Sequence, residues 1–276
     1  MPDAGRQAFK FARTSYRGLT DLARAAVLKV PARLPTYARV WSVWGRDLRR
    51  FALVHPDRTF WYAGVPKAAN STIKRLLWRI AGVEIAEPVA QRVVHLNPGP
   101  YVALTDLGFD EREPVLTGPG VFRFSFVRNP YQRLRSAYLQ KLLQPQAYEQ
   151  PGYYLAALKW RSPRPPTFSE FVRAVVAQSD TQMNVHWMPQ HRCLVLDSIP
   201  YDFIGRVERF EADIHTVLER LGASPALYEV AASVNRSPRQ STDMAFYTEE
   251  TAALVFERYR RDFEAFGYVR DSYAAS

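Results

Sequence analysis

The chain of 276 residues contains one cysteine, Cys193. A single cysteine excludes an intrachain disulfide and any multi-cysteine metal site, and it suits a reducing compartment. No run approaches the roughly 18 apolar residues needed to span a bilayer. The first residues do not read as a cleavable leader, and no internal repeat is visible. Glycine is scarce where it would be most expected. The stretch 60–80, FWYAGVPKAANSTIKRLLWRI, has the outline of a phosphate-binding loop, yet past Gly64 its turn contains no glycine. A Walker A loop reads G-x-x-x-x-G-K-[ST], with its lysine after the loop. Here Lys67 precedes the small residues, so it approaches an anion from the strand side, which speaks against a nucleoside triphosphatase.

Charge is abundant but unevenly placed. Of the formal net charge of +10, residues 1–50 supply +8, with eleven Lys/Arg and three Asp, leaving about +2 for the rest. A basic arm of this kind suits anionic lipid, nucleic acid or an acidic glycan, or is simply a solvated helical face. It also shares the Arg-rich, acid-poor character of organelle transit peptides. Leu19, Leu22, Ala23, Ala26, Val27 and Val30 keep helical spacing, so part of the arm is expected to pack on the body. The expected division is a partly helical basic extension over 1–50 and a single catalytic body over 51–276.

Along that body, 59–65 reads as a buried strand. Residues 71–81 read as a helix with Ile73, Leu76, Leu77 and Ile80 on one face, and Gly82 follows its end. Residues 121–127, VFRFSFV, form a second strand pattern. Asn129 then suits an N-cap, and Pro130 the first helical position, where its missing N–H costs nothing. Residues 144–166 hold five prolines and read as a long irregular excursion, either a binding loop or a floppy insertion. A capping box at Thr167 and Glu170 opens a helix through 177. A short strand over 201–205, a helical stripe at Ile214, Val217, Leu218 and Leu221, and a last helix over 248–266 complete the pattern. Strands alternating with helices predict an α/β fold with a mostly parallel sheet.

Two positions in this pattern suit anions. Amides of the first helical turn after the 60–65 strand lack internal partners, and the helix dipole adds positive potential. Together with Lys67 and the hydroxyls of Ser71 and Thr72, they form a phosphate cradle. In SFVRNPYQRLRSAY, Arg128 ends the second strand and Ser136 follows two turns into its helix. Both can serve one point at the carboxyl edge of the sheet, where ligands of open α/β sheets collect. An arginine there grips a phosphate with its fork. Arg133 and Arg135 are expected to face solvent, with assistance from one of them as the alternative. Two such sites on separate βα units imply a ligand with two separated anionic groups.

This pair of motifs resembles the sulfotransferase superfamily that uses 3′-phosphoadenosine 5′-phosphosulfate (PAPS). Within it, the sequence is similar to the carbohydrate sulfotransferases of the chondroitin, dermatan and HNK-1 type and the uronyl 2-O-sulfotransferases. VPKAANSTIKRLL resembles their 5′-phosphosulfate loop and FSFVRNPYQRLRSAY their 3′-phosphate strand and helix. HWMPQHRCL, YDFIGRVERFEADI and YTEETAALVFERYRRDFEAFGY match further along, so the likeness spans about 58–270. It implies a P-loop-like α/β sandwich and transfer of a sulfonate from PAPS to a sugar hydroxyl or amine. Lys67 would stabilise the leaving phosphate. Pro66, Ala68, Ala69, Asn70, Ser71 and Thr72 would surround the 5′-phosphate, and Arg128 and Ser136 the 3′-phosphate. Arg236, Ser237 and Arg239 lie where the family folds over the nucleotide. No metal is implied, and the sequence shows no clustered ligand set.

In-line attack requires a base near the acceptor. His95, between the two motifs, is the first choice and His186 the second; Glu84, Glu87 and Asp106 remain open, and His55 and His191 are weaker. Tyr148, Tyr153, Tyr154 and Trp160 are candidate stacking surfaces for a sugar. The expected partners are a carbohydrate acceptor and, through residues 1–50, a membrane surface, with no nucleic acid. The expected setting is a bacterial cytoplasm, with a Golgi lumen as the alternative. Competing readings are a kinase on a related fold, or a basic protein that binds membrane or nucleic acid peripherally.

Overall fold

The computed structural model describes residues 34–84, 93, 94, 96–145, 150–224, 226, 227 and 246–273. Five strands form one sheet in the order β3-β1-β2-β4-β5: β1 Ala52–Val54, β2 Phe60–Ala63, β3 Val102–Ala103, β4 Phe122–Val127 and β5 Phe203–Arg206. Strands β2, β4 and β5 run parallel. Strand β1 is antiparallel to both β2 and β3. The sheet is therefore mixed, which corrects the mostly parallel sheet expected. Strands of three and two residues are too short to leave a period-2 signature, and β1 reaches β2 through a tight turn closed by His55 N–H on Phe60 O (3.0 Å).

The strands bury both faces. Leu53, Phe60, Tyr62, Phe124 and Phe126 meet α3 (Asn70–Ile80) through Ile73, Leu76 and Leu77, and α9 (Phe210–Arg220) through Ile214 and Val217. On the other face, Val54, Trp61, Ala63 and Val127 meet α1 (Pro35–Trp44), α5 (Pro130–Tyr138), α7 (Phe168–Val176) and α10 (Glu249–Phe266). Successive side chains on a strand point to opposite faces, so each strand joins two cores. The result is a helix–sheet–helix sandwich, completed by α2 (Leu48–Phe51), α4 (Phe109–Thr117), α6 (Pro151–Leu158) and α8 (Gln190–Cys193).

The basic segment enters this core. Leu34, Tyr37, Val40, Trp44 and Leu48 are buried, and the expected division after residue 50 falls inside α2. The apolar stripe from Leu19 to Val30 lies outside the described residues. The excursion over 144–166 is not irregular throughout: Pro151 opens α6, which buries Tyr154 and Leu158. Proline at a first helical position is a start signal, and the density of prolines disguised it. The capping box at Thr167 and Glu170 forms as expected. Among the described residues no helix is long and apolar enough to cross a membrane.

Candidate active site

Strands β2 and β4 are adjacent and parallel, with Ala63 opposite Ser125. The segments that follow them therefore leave the sheet at the same edge. After β2, Gly64 donates its N–H to Phe51 O (2.6 Å). A Cβ on Gly64 would overlap Asn70 Oδ1, the atom that accepts the Tyr62 hydroxyl at 3.2 Å. Lys67 (φ +69°) and Ala69 (φ +56°) hold left-handed conformations although neither is glycine. Each such position costs about 1–2 kcal/mol, so the turn is held by its surroundings. Lys67 Nζ donates to Gln140 Oε1, on the π-turn Leu139–Leu143 that extends α5. Helix α3 has Ala69 at its N-cap position and no side-chain cap, whereas Asn129 Oδ1 caps α5 by accepting from the amides of Tyr131 and Gln132. The first-turn amides of α3, beside the half-buried hydroxyls of Ser71 and Thr72, thus present uncancelled positive charge.

After β4, Arg128 is fixed through its backbone. Its N–H donates to Gln190 Oε1 (2.9 Å) and its carbonyl accepts from Gln190 Nε2 (2.7 Å). Its Nε is buried with no acceptor among the described residues. Burial holds its pKa below the usual arginine value, the charges of Glu208 and Tyr268 oppose this, and Arg135 adds to it. The Glu208 carboxylate is already committed, accepting from Asn129 N–H (2.7 Å) and the Tyr268 hydroxyl (2.9 Å). Ser136 lies on α5 and is buried. An uncapped helix start and an orphaned buried arginine nitrogen fit a donor with two anionic groups.

Arg133 corrects the expectation that it faces solvent: only 2 % of it is exposed. Its Nε donates to Pro66 O (2.9 Å), and its terminal nitrogens donate to Met188 O (2.7 Å) and Val185 O (3.0 Å). One guanidinium thus joins the residue before Lys67, helix α5 and the residue before His186. The signal was present, because Arg133 follows Pro130 by three and precedes Ala137 by four, on the buried stripe of α5. Its charge concealed it. Gln140 and Asn184 were also missed, and polar residues in irregular turns carry no periodic signal.

His186 is buried, at 8 % exposure, and its ring meets Tyr154 edge-on at 5.4 Å. Asn184 Oδ1 accepts the His186 main-chain N–H (3.0 Å) and lies 2.7 Å from Nδ1. An atom that accepts from the amide is an acceptor toward the ring as well. Nδ1 therefore carries a proton, and Nε2 is the ring nitrogen not committed to Asn184. His95, Arg236, Arg239, Ser237, Glu87 and Tyr148 lie outside the described residues. His191 is engaged with the buried Asp262 (2.7 Å). Asp106 pairs with Arg49, His55 meets the Phe60 and Tyr101 rings at tilted angles, and Glu84 is exposed. Among the described residues no cluster of His, Cys, Asp or Glu has a metal-holding arrangement.

Comparison with known proteins addresses the family of the chain. The sulfotransferase family model matches residues 50–269. Human carbohydrate sulfotransferase 14 is 33 % identical over 234 residues, covering 81 % of this chain and 61 % of that protein. The zebrafish carbohydrate sulfotransferase 14 is 32 % identical over 248 residues, covering 82 % and 66 %. Human carbohydrate sulfotransferase 9 is 28 % identical over 213 residues, covering 73 % and 45 %. The chain thus spans about three fifths to two thirds of the length of the first two relatives. No solved structure matches. These relatives are animal proteins, which overturns the expectation of a bacterial cytoplasmic setting. With the matched span enclosing both candidate anion-binding segments and the sheet edge that unites them, the chain belongs to the sulfotransferase family.

Proposed function

We propose that this protein transfers a sulfonate from PAPS to a hydroxyl or amine of a carbohydrate acceptor, on a P-loop-like arrangement of β2, α3, β4 and α5. The observation that carries the reading is the Arg133 guanidinium, which gathers the Lys67 turn, the Arg128–Ser136 helix and the His186 segment around one point. The amides of 68–72, with the Ser71 and Thr72 hydroxyls, hold the 5′-phosphate. Arg128 and Ser136 hold the 3′-phosphate, and their absence from a triphosphate site is what selects this donor. The donor supplies an electrophilic sulfur attached to a phosphate leaving group.

The acceptor oxygen forms the new S–O bond as the bridging S–O bond breaks. Its electron pair leaves with 3′-phosphoadenosine 5′-phosphate, where Lys67 offsets the growing negative charge. Preorganised positive groups at such a point act without reorganising during the reaction. His186 Nε2 takes the acceptor proton, with Asn184 fixing the required tautomer; His95 is the competing base. The uncapped N-terminus of α3 and Lys67 supply the electrostatics of the site.

The test is transfer of 35S from labelled PAPS to a panel of glycans. Lys67→Ala is expected to lower kcat by about 10²–10³-fold, the usual loss for one transition-state donor, with an unchanged thermal melt. Wild-type turnover in Lys67→Ala would sink the assignment. His186→Ala and His95→Ala, assayed in parallel, separate the two bases: the variant that retains its rate eliminates its residue.

A further inference from the structure

The acceptor surface is the part of this site that the donor-binding motifs do not describe. Of the aromatic residues in the 144–166 region, Tyr154 is buried. Trp160 is half-buried, and its Nε1 donates to Arg164 O (2.6 Å). Tyr153 differs from both. It lies in the first turn of α6 with 57 % of its surface exposed, and Leu143, at the end of the π-turn, is 45 % exposed. Tyr153 and Tyr154 meet edge-to-face at 5.2 Å, so the Tyr153 ring has a fixed neighbour on one side while much of its area stays in water.

Two chains of contacts connect that ring to the reacting groups. In the first, Asn184 Nδ2 donates to the Tyr153 hydroxyl (3.4 Å), while Asn184 Oδ1 holds His186 (2.7 Å). The residue before His186 then shares Arg133 with the residue before Lys67. In the second, Tyr153 packs on Tyr154, whose ring lies 5.3 Å from Lys141 Nζ. Lys141 adjoins Gln140, the acceptor of the Lys67 ammonium. The exposed ring is therefore continuous with the site and lies on the side of His186, the group proposed to receive the acceptor proton.

We infer that Tyr153 is the stacking platform for a pyranose ring of the acceptor, and that it positions the sugar whose hydroxyl is attacked. The inference rests on the sulfonate-transfer reading. A pyranose carries C–H groups on one face and hydroxyls at its rim. It gains from an aromatic surface combined with polar groups at the edge, and here the edge is formed by Asn184 and His186. A flat aromatic surface also tolerates lateral displacement, so Tyr153 fixes the plane of the sugar while the base at its edge selects the hydroxyl.

The test measures binding apart from turnover. Titration calorimetry on the full chain, saturated with 3′-phosphoadenosine 5′-phosphate, uses desulfated chondroitin and heparosan as the two polymer probes. Tyr153→Ala is expected to weaken the polymer that binds wild-type protein by about tenfold, equivalent to about 1.4 kcal/mol. Affinity for 3′-phosphoadenosine 5′-phosphate should not change. Tyr153→Phe, which keeps the ring, is expected to stay within about twofold of wild type, and in 35S transfer Tyr153→Ala should raise the acceptor KM more than it lowers kcat. Wild-type polymer affinity in Tyr153→Ala would overturn the inference, as would equal losses in the Phe and Ala variants. Failure of both polymers to bind nucleotide-loaded wild-type protein would remove the sugar platform and leave the donor site standing. Failure of wild-type protein to bind 3′-phosphoadenosine 5′-phosphate would instead strike the sulfonate-transfer reading itself.

Discussion

Replacing Arg133 with methionine should destabilise the protein and disable its donor site together. The side chain is 2 % exposed, and its three hydrogen bonds, at 2.9, 2.7 and 3.0 Å, all go to main-chain carbonyls. Methionine fills a similar volume but donates nothing, so the carbonyls of Pro66 and Val185 lose this donor and that of Met188 keeps only the weak Cys193 thiol contact (3.9 Å). A buried polar group left without a partner costs about 1–3 kcal/mol. Three such groups, partly relieved by relaxation of a loop edge, give about 4 kcal/mol. For a domain of this size each kcal/mol lowers Tm by about 2–4 °C, which puts the expected fall at about 8–16 °C. Differential scanning calorimetry reads it directly. Arg133→Lys should recover only part of the loss, because an ammonium keeps the charge but cannot span three carbonyls in the fork geometry of a guanidinium. The same scans with 3′-phosphoadenosine 5′-phosphate present should show a smaller ligand-induced rise in Tm for Arg133→Met than for wild type. A fall below about 3 °C, with the ligand-induced rise intact, would refute the view that this arginine holds the site together.

Arg128→Ala is expected to weaken 3′-phosphoadenosine 5′-phosphate about 30–100-fold, roughly one charge-assisted contact of 2–3 kcal/mol, while adenosine 5′-phosphosulfate is little affected. Equal losses in calorimetry for the two ligands would remove Arg128 from the 3′-phosphate. Lys74 sets a pH dependence. It is fully buried, its Nζ donates to Asn97 O (2.8 Å) and Arg50 O (3.3 Å), and burial first, then Arg50, push its pKa down to about 7. In the unfolded chain it titrates near the ordinary lysine value, so between about pH 7 and 10 the unfolded state binds more protons and stability rises with pH. Relative to Lys74→Met, wild type should gain about 2 kcal/mol between pH 7 and 9 in urea denaturation. Parallel curves for the two proteins would show that Lys74 stays charged throughout.

What was legible in the sequence followed from periodicity and local chemistry. Helix α3 is found one residue from its expected start, and α10 begins directly after its Thr248 cap. Asn129 caps α5, with Pro130 following at the first helical position. These features are written into stretches of a dozen residues or fewer. The short strands β1 and β3 were not legible, since their existence depends on pairing with each other and with β2 rather than on any pattern of their own. At the site, the residues proposed to meet the donor could be named from two motifs, whereas the groups that hold those residues in place could not. Gln140 meets Lys67 across 73 positions and Gln190 meets Arg128 across 62, separations that no local window contains, while Asn184, two positions from His186, sits in a turn without a periodic pattern.

The missing glycines acquire a physical meaning in this setting. A glycine-rich loop reaches left-handed conformations without strain but loses much backbone entropy on folding. Here Lys67 and Ala69 occupy such conformations with side chains present, which raises the energy of the folded turn and narrows the freedom of the unfolded one. Strain of this kind persists only where the surroundings over-determine it. The turn has three such restraints: Arg133 on Pro66 O, Gln140 on the Lys67 ammonium, and Tyr62 on Asn70 Oδ1. All three belong to elements that also build the site, so the loop takes its binding shape when the sheet and α5 are assembled. A strand-side lysine anchored in this way has its backbone fixed, and in the proposed transfer its side chain would turn from Gln140 toward the departing phosphate.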